Sequence, residues 1–321
     1  MIIFTPAVYE HAAALIGRRP WEVSRDAELL YAAHAEAFRQ YRHAPVVVGI
    51  DIYNLEAEAY GARVAEPAGN DIPAIGTHPC DALEEVTALP LYDPAVAERI
   101  PMLLDVAHRL QADLPMADVR VPVSGPFSIA CALASFDTVL CEMLEAPEVV
   151  RAALEHLVDG QLRFCAAARR QGVGITFFES ATTPPLLSPA LFKAVEFPVL
   201  QRFLREASAI MGQPVPCIIG GNTFPILEPI LATGTRYVIC PAETNQSAFM
   251  QAIHSRTEVR VRVNTDIRPF VHGPWEAVRA EIDRVATLVS DRDNTCLGTG
   301  ALPYEANPEF VIRAREYVRG L

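Results

Sequence analysis

Short apolar runs alternate with amphipathic helical stretches along almost the whole chain, and no other feature narrows its possible folds as much. The runs fall at 45–51, 119–124, 175–180, 215–219, 236–240, 259–263 and 294–297. Helical periodicity fills 24–42, 94–111, 147–171, 189–210, 274–289 and 308–318, with a shorter turn at 55–60. Residues 62–92 are rich in Pro and Gly and leave room for one or two short strands. Continuous apolar runs suit parallel strands covered on both faces. At least seven strand-then-helix units in series, with no compositional break, predict a closed (β/α)8 TIM-like barrel in one domain over 1–321. Neither a Gly-x-Gly-x-x-Gly turn after the first strand nor a phosphate-binding Gly-rich loop is present, so an open nucleotide-binding sheet lacks its signature.

In such a barrel the chemistry sits where the strands end. The run at 175–180 ends on Glu179 and Ser180, ahead of a turn with two prolines and a helix that Ser188 is placed to cap. The other runs end alike, on Asp51 with Tyr53 behind it, on Ser124-Gly125, on Gly221-Asn222, on Glu243, on Asn264 and Asp266, and on Gly298-Thr299. Seven polar strand ends predict one shared pocket. A solvated strand end is the ordinary alternative for any one of them.

A net charge of −12 removes the basic patch that nucleic acid or an anionic membrane would need. The seven cysteines are scattered, odd in number and never spaced Cys-x-x-Cys, which fits reduced thiols. With no export signal and no membrane anchor read in the sequence, a cytoplasmic enzyme is expected. His78 beside Cys80 reads as a solvated loop, and His254 as the end of a helix.

These residues carry a resemblance. Gly17-Arg18, the Gly-Ile-Asp51-Ile strand, Ser124-Gly-Pro-Phe-Ser128, Phe-Glu-Ser180 with its Leu-Leu-Ser-Pro continuation, Gly221-Asn222, Asn264-Thr-Asp266, Gly298-Thr-Gly and Pro-Tyr-Glu-Ala-Asn-Pro-Glu309 resemble the uroporphyrinogen decarboxylases and the related methylcobamide:thiol methyltransferases. The decarboxylase branch implies that Asp51 is the catalytic aspartate, with Ser180 and Arg18 in the site. There a second motif arginine is replaced by Ala14, the active-site tyrosine by Ala132 and a histidine by Thr299. These losses remove donors that a polycarboxylate tetrapyrrole would need. In the methyltransferase branch, Ile218, Gly220 and Ala301 stand where that branch places its zinc ligands. Cys217, Cys240 and Cys296 lie nearby, but alternation should turn Cys217 away from the face of Ile218.

The resulting expectation is a zinc-independent methyltransferase using a corrinoid on a partner protein or a small methyl donor, with no metal ligands of its own. Asp51, Glu179 and Ser180 are the catalytic candidates. Arg18, Tyr53, Ser124, Asn222, Glu243, Asn264, Asp266 and Thr299 are the substrate-binding ones. If Arg18 faces the pocket with Asp51, the carboxylate stays ionised; if Arg18 points away, Asp51 is a protonated general acid. In either case Asp51→Asn is expected to cost about a hundredfold or more in turnover while leaving the fold intact. A cofactor-free decarboxylase on a small carboxylated or porphyrinogen-like substrate is the alternative, and a catalytically inactive binding barrel the third reading. The resemblance also implies a homodimer.

Overall fold

The computed structural model describes residues 2–321. Its eight barrel strands are β1 (Phe4–Val8), β2 (Val46–Val47), β3 (Val119–Ser124), β4 (Gly174–Glu179), β5 (Cys217–Ile219), β6 (Tyr237–Cys240), β7 (Arg260–Thr265) and β8 (Thr295–Leu302). All their pairings are parallel, and helices follow the strands as the alternation requires. The fold is the (β/α)8 barrel. Its backbone ladders form two four-stranded sheets, β1-β8-β7-β6 and β2-β3-β4-β5. Among the described residues no ladder joins β1 to β2 or β5 to β6. Arg63–Ala65 and Ala74–Thr77 form a separate antiparallel pair within the irregular stretch.

β1 lies outside the runs read as strands. It is buried along its full length and pairs with β8, so it closes the ring that seven runs left one strand short. β2 is shorter than its apolar run. Gly49 sits at φ 150°, and its N–H donates to His34 Nε2 at 3.0 Å, so the backbone leaves the ladder there for a side chain.

The helix boundaries follow from end chemistry. Ala27–Tyr41 is capped by Asp26, whose carboxylate accepts from the N–H groups of Glu28 and Leu29, both at 2.9 Å. Pro147–Arg170 opens on proline and Glu148 and closes on Arg169 and Arg170, each charge matched to the helix dipole. Ser188 caps the helix that begins at Pro189, accepting from Leu191 N–H at 3.2 Å. That helix then passes through a π-helical turn at Phe192–Glu196. No single described helix is long and apolar enough to cross a membrane.

Register decides which side chains face the barrel interior. Phe178 pairs with Ile218, and Ile239 with Arg262, so these four share the inner face. Their neighbours Glu179, Cys217, Cys240 and Val263 point outward to the helices. Cys217 therefore faces away from Ile218, as alternation required.

Candidate active site at the barrel mouth

The strand C-termini enclose a cavity of about 240 Å³. Its walls are largely apolar, with Ile50, Ile52, Phe178, Ile218, Ile239 and Ala301 among them. The polar groups are few: Tyr9, Glu10, Tyr53, Glu243, Arg262 and Asn264. An apolar cleft with a handful of convergent polar groups is the usual form of a small-molecule site.

Arg262 is the centre of this set. It is only 6% exposed, yet no carboxylate pairs with it among the described residues. Its Nε donates to Asn264 Oδ1 at 3.0 Å, which orients both side chains. Gly298 makes room for it: a Cβ there would lie 2.5 Å from Arg262 Cδ and 2.7 Å from the Thr5 carbonyl oxygen. A guanidinium stays charged in a protein, and a buried charge without a counter-ion is unfavourable. Such a group is suited to receive an anion.

Burial pushes the Glu10 carboxyl up to about 7, opposed by a backbone hydrogen bond and reinforced by Glu305. Burial likewise pushes the Tyr9 phenol up to about 12, with Arg262 pulling the other way. The lining of the mouth thus includes both a carboxyl that can carry a proton near neutrality and a fixed cation.

Of the expected site residues, Tyr53, Glu243 and Asn264 line this cavity. Asp51 does not. Ile50 and Ile52 face inward, and Asp51 between them turns into the helical layer. There Arg99 grips it with two bonds, Nη1–Oδ1 at 2.7 Å and Nη2–Oδ2 at 2.8 Å, and Asn54 adds a third at 3.0 Å. Arg99 also holds Glu58 at 2.5 Å, and Arg25 reaches Glu58 at 3.1 Å. Arg18 is exposed and takes no part, so of the two orientations left open by the sequence it is the one that points away from Asp51.

Glu179 is turned outward for the same reason of alternation. It is fully buried, accepts from the Ser128 hydroxyl, and accepts from Ser180 N–H at 3.0 Å. Gly125 is required beside it, since a Cβ there would fall 1.8 Å from Glu179 Oε2. Behind it lies Glu196, also fully buried, with neither carboxyl oxygen hydrogen-bonded. Burial raises both carboxyls, so this pair holds protons rather than two charges. Ser180 is exposed, its hydroxyl 3.2 Å from that of Ser128.

The remaining candidates serve the frame. Ser124 donates its hydroxyl to the Ile52 carbonyl and to Glu56, both at 3.0 Å. Asn222 accepts from the Thr244 hydroxyl at 3.0 Å. Asp266 pairs with Arg268. Thr299 lies within β8, where its hydroxyl accepts from Ala7 N–H at 3.1 Å. None of these four lines the cavity.

Sequence reasoning missed Tyr9, Glu10 and Arg262. The first two end the apolar run 2–8 in the same way that Asp51 ends its own. Arg262 was visible as a strict alternation of Arg and Val over 259–263, which is a strand with a charged inner face.

His78 is an exposed loop residue hydrogen-bonded to the Ala132 carbonyl at 2.8 Å, and His254 is the C-cap of Gln246–Ile253. Among the described residues no group of three or more His, Cys, Asp or Glu side chains is arranged to hold a metal ion.

The comparisons with known proteins agree with this architecture. A methyltransferase from Methanosarcina mazei superposes with a TM-score of 0.85 at 18% identity, covering 99% of this chain and 93% of that one. No curated relative matches in sequence. The family model described as Uroporphyrinogen decarboxylase (URO-D) matches residues 3–319. With that match spanning nearly its full length, the chain belongs to the uroporphyrinogen decarboxylase family.

Proposed function

We propose that this chain is an enzyme that moves a methyl group between a small anionic substrate and a carrier, without a zinc-bound thiolate. One observation carries the reading. Ile218, Gly220 and Ala301, which stand at the zinc-ligand positions of the related methyltransferases, all line the mouth and offer no ligand atoms. The Methanosarcina mazei protein of the same fold, itself a methyltransferase, supports methyl transfer over decarboxylation.

Arg262 and Asn264 would hold the anionic end of the substrate, and the isoleucine walls its apolar body. A corrin or tetrapyrrole macrocycle is larger than a cavity of about 240 Å³ and does not fit inside it. A corrinoid would therefore come on a partner protein and meet this chain at the rim, where it supplies a nucleophilic metal centre. Glu10 would give its proton to the departing oxygen as the methyl–oxygen bond breaks and leaves its electron pair on that oxygen.

The test is methyl loss from small methoxylated carboxylates, followed by proton NMR with reduced cobalamin as acceptor. Turnover should fall as pH rises through about 7, because only protonated Glu10 can donate. Glu10→Gln should lower the rate by about a hundredfold or more and remove that pH limb. Carbon dioxide release without methyl loss would replace this reading with decarboxylation.

A further inference from the structure

The barrel has a second cavity, of about 320 Å³, at the opposite end. Its walls are the starts of the strands: Phe4 and Thr5 of β1, Val47 of β2, Arg120 of β3, Thr176 of β4, and Arg260 of β7. In barrels of this kind the interior is filled by layers of side chains, and that end serves stability. Here the lowest layer is open, and its charge is one-sided.

Four arginines line it: Arg42, Arg120, Arg260 and Arg262. The single carboxylate in the lining, Asp118, is already engaged by Arg120 through Nε–Oδ1 at 3.0 Å and Nη2–Oδ2 at 2.8 Å. Among the described residues no carboxylate forms an ion pair with Arg42, Arg260 or Arg262. Arg42 packs over the Phe38 ring, 5.6 Å from its centroid, and gains no counter-charge there. Arg262 is the most telling of the four, being nine-tenths buried and forming part of the partition between the two cavities. Tyr9, a neutral phenol, forms part of the same partition.

A chain of net charge −12 has acidic side chains to spare. Arg42 is exposed and Arg260 half-buried, so the cost of an uncompensated charge falls chiefly on the buried Arg262, and an anion entering the cavity would relieve it. Planar guanidinium forks match carboxylate and phosphate oxygens, and the Phe4, Val47 and Phe178 walls leave space for a short hydrocarbon body.

We propose that the N-terminal cavity of the barrel is a second ligand site, built for a small anion of two or more charges of the phosphate or dicarboxylate type. It does not depend on which reaction runs at the mouth, although Arg262 is shared between the two sites. The experiment is isothermal titration of the full chain with inorganic phosphate and, separately, with succinate, against sodium chloride at matched ionic strength. One equivalent of phosphate or succinate should bind saturably, and the stronger of the two identifies the class. Arg260→Gln and, at the exposed rim, Arg42→Gln should each weaken binding by about tenfold. Ala301→Phe, which fills only the mouth, should leave it unchanged. Thermal melts establish that each variant is folded, and the Arg42 variant carries the test if the Arg260 variant is not. No saturable binding of either anion, binding indifferent to the folded rim variants, or binding lost in Ala301→Phe would each overturn the proposal.

Discussion

Asp51 shows what one position along a strand can change. Read as a strand-end carboxylate it belonged to the mouth; in the barrel it is the anion of a buried ion-pair network with Arg99, Glu58 and Arg25. Asp51→Asn keeps the shape and leaves the Arg99 guanidinium, which is 11% exposed, with half its counter-charge. Breaking a buried pair on one side costs about 3–5 kcal/mol, and the remaining bond to Glu58 should bring this case to the lower end. A urea titration should therefore show lowered stability for this variant, and turnover per folded molecule should change much less. Unchanged stability with a hundredfold loss of turnover would return Asp51 to the chemistry. The sequence could not settle this residue because a run apolar on both faces hides its own parity. Only a ladder partner or an inward neighbour such as Ile50 reveals it. Tyr53, Glu243 and Asn264 line the mouth because they follow the strands or lie near their ends on the inner face.

Between elements, the most informative contact joins the helix Leu55–Ala59 to the end of β3. Glu56 on that helix is fully buried and accepts from both the N–H and the hydroxyl of Ser124, each at 3.0 Å. Burial raises its carboxyl from an ordinary 4.5 to about 8, against the pull of those two bonds. The folded state thus binds a proton more tightly than the unfolded one. Its contribution to stability is complete below about pH 4.5, declines as pH rises, and is gone above about 8. Glu56→Gln should flatten that part of the slope, with a difference on the order of a few kcal/mol between pH 5.5 and 8.5. Parallel urea-midpoint profiles for the two proteins would refute it. Elements of this size were mostly legible: β3 and the helices Pro147–Arg170 and Trp275–Val289 lie within a residue or so of their sequence patterns. The exceptions have local causes. β2 is cut short where His34 takes the Gly49 amide, and the helix at Ile100–Asp113 starts late because the chain before it carries Arg99 to Asp51.

At the scale of the whole molecule, the alternation of runs and helices was enough to read a closed barrel, but not the way its ring is bonded. That depends on which backbone groups meet across each gap, and side-chain patterns carry no record of it. The two ladders stop short of each other at β1/β2 and at β5/β6. At the latter gap one visible tie is the Thr235 hydroxyl, which reaches the Val215 carbonyl at 2.9 Å. Hydrogen exchange should accordingly protect residues 215–220 and 237–241 less than 174–179 and 260–265. Equal protection across all four segments would show a ring bonded more tightly than its ladders imply. A ring of this construction is a split collar. Among the described residues no sheet ladder crosses either gap, so side chains hold the two halves together there. The residues at the split, Ala7 and Ile52 on one side and Ile218 and Ile239 on the other, are walls of the mouth. A ligand that touches all four would bridge both gaps.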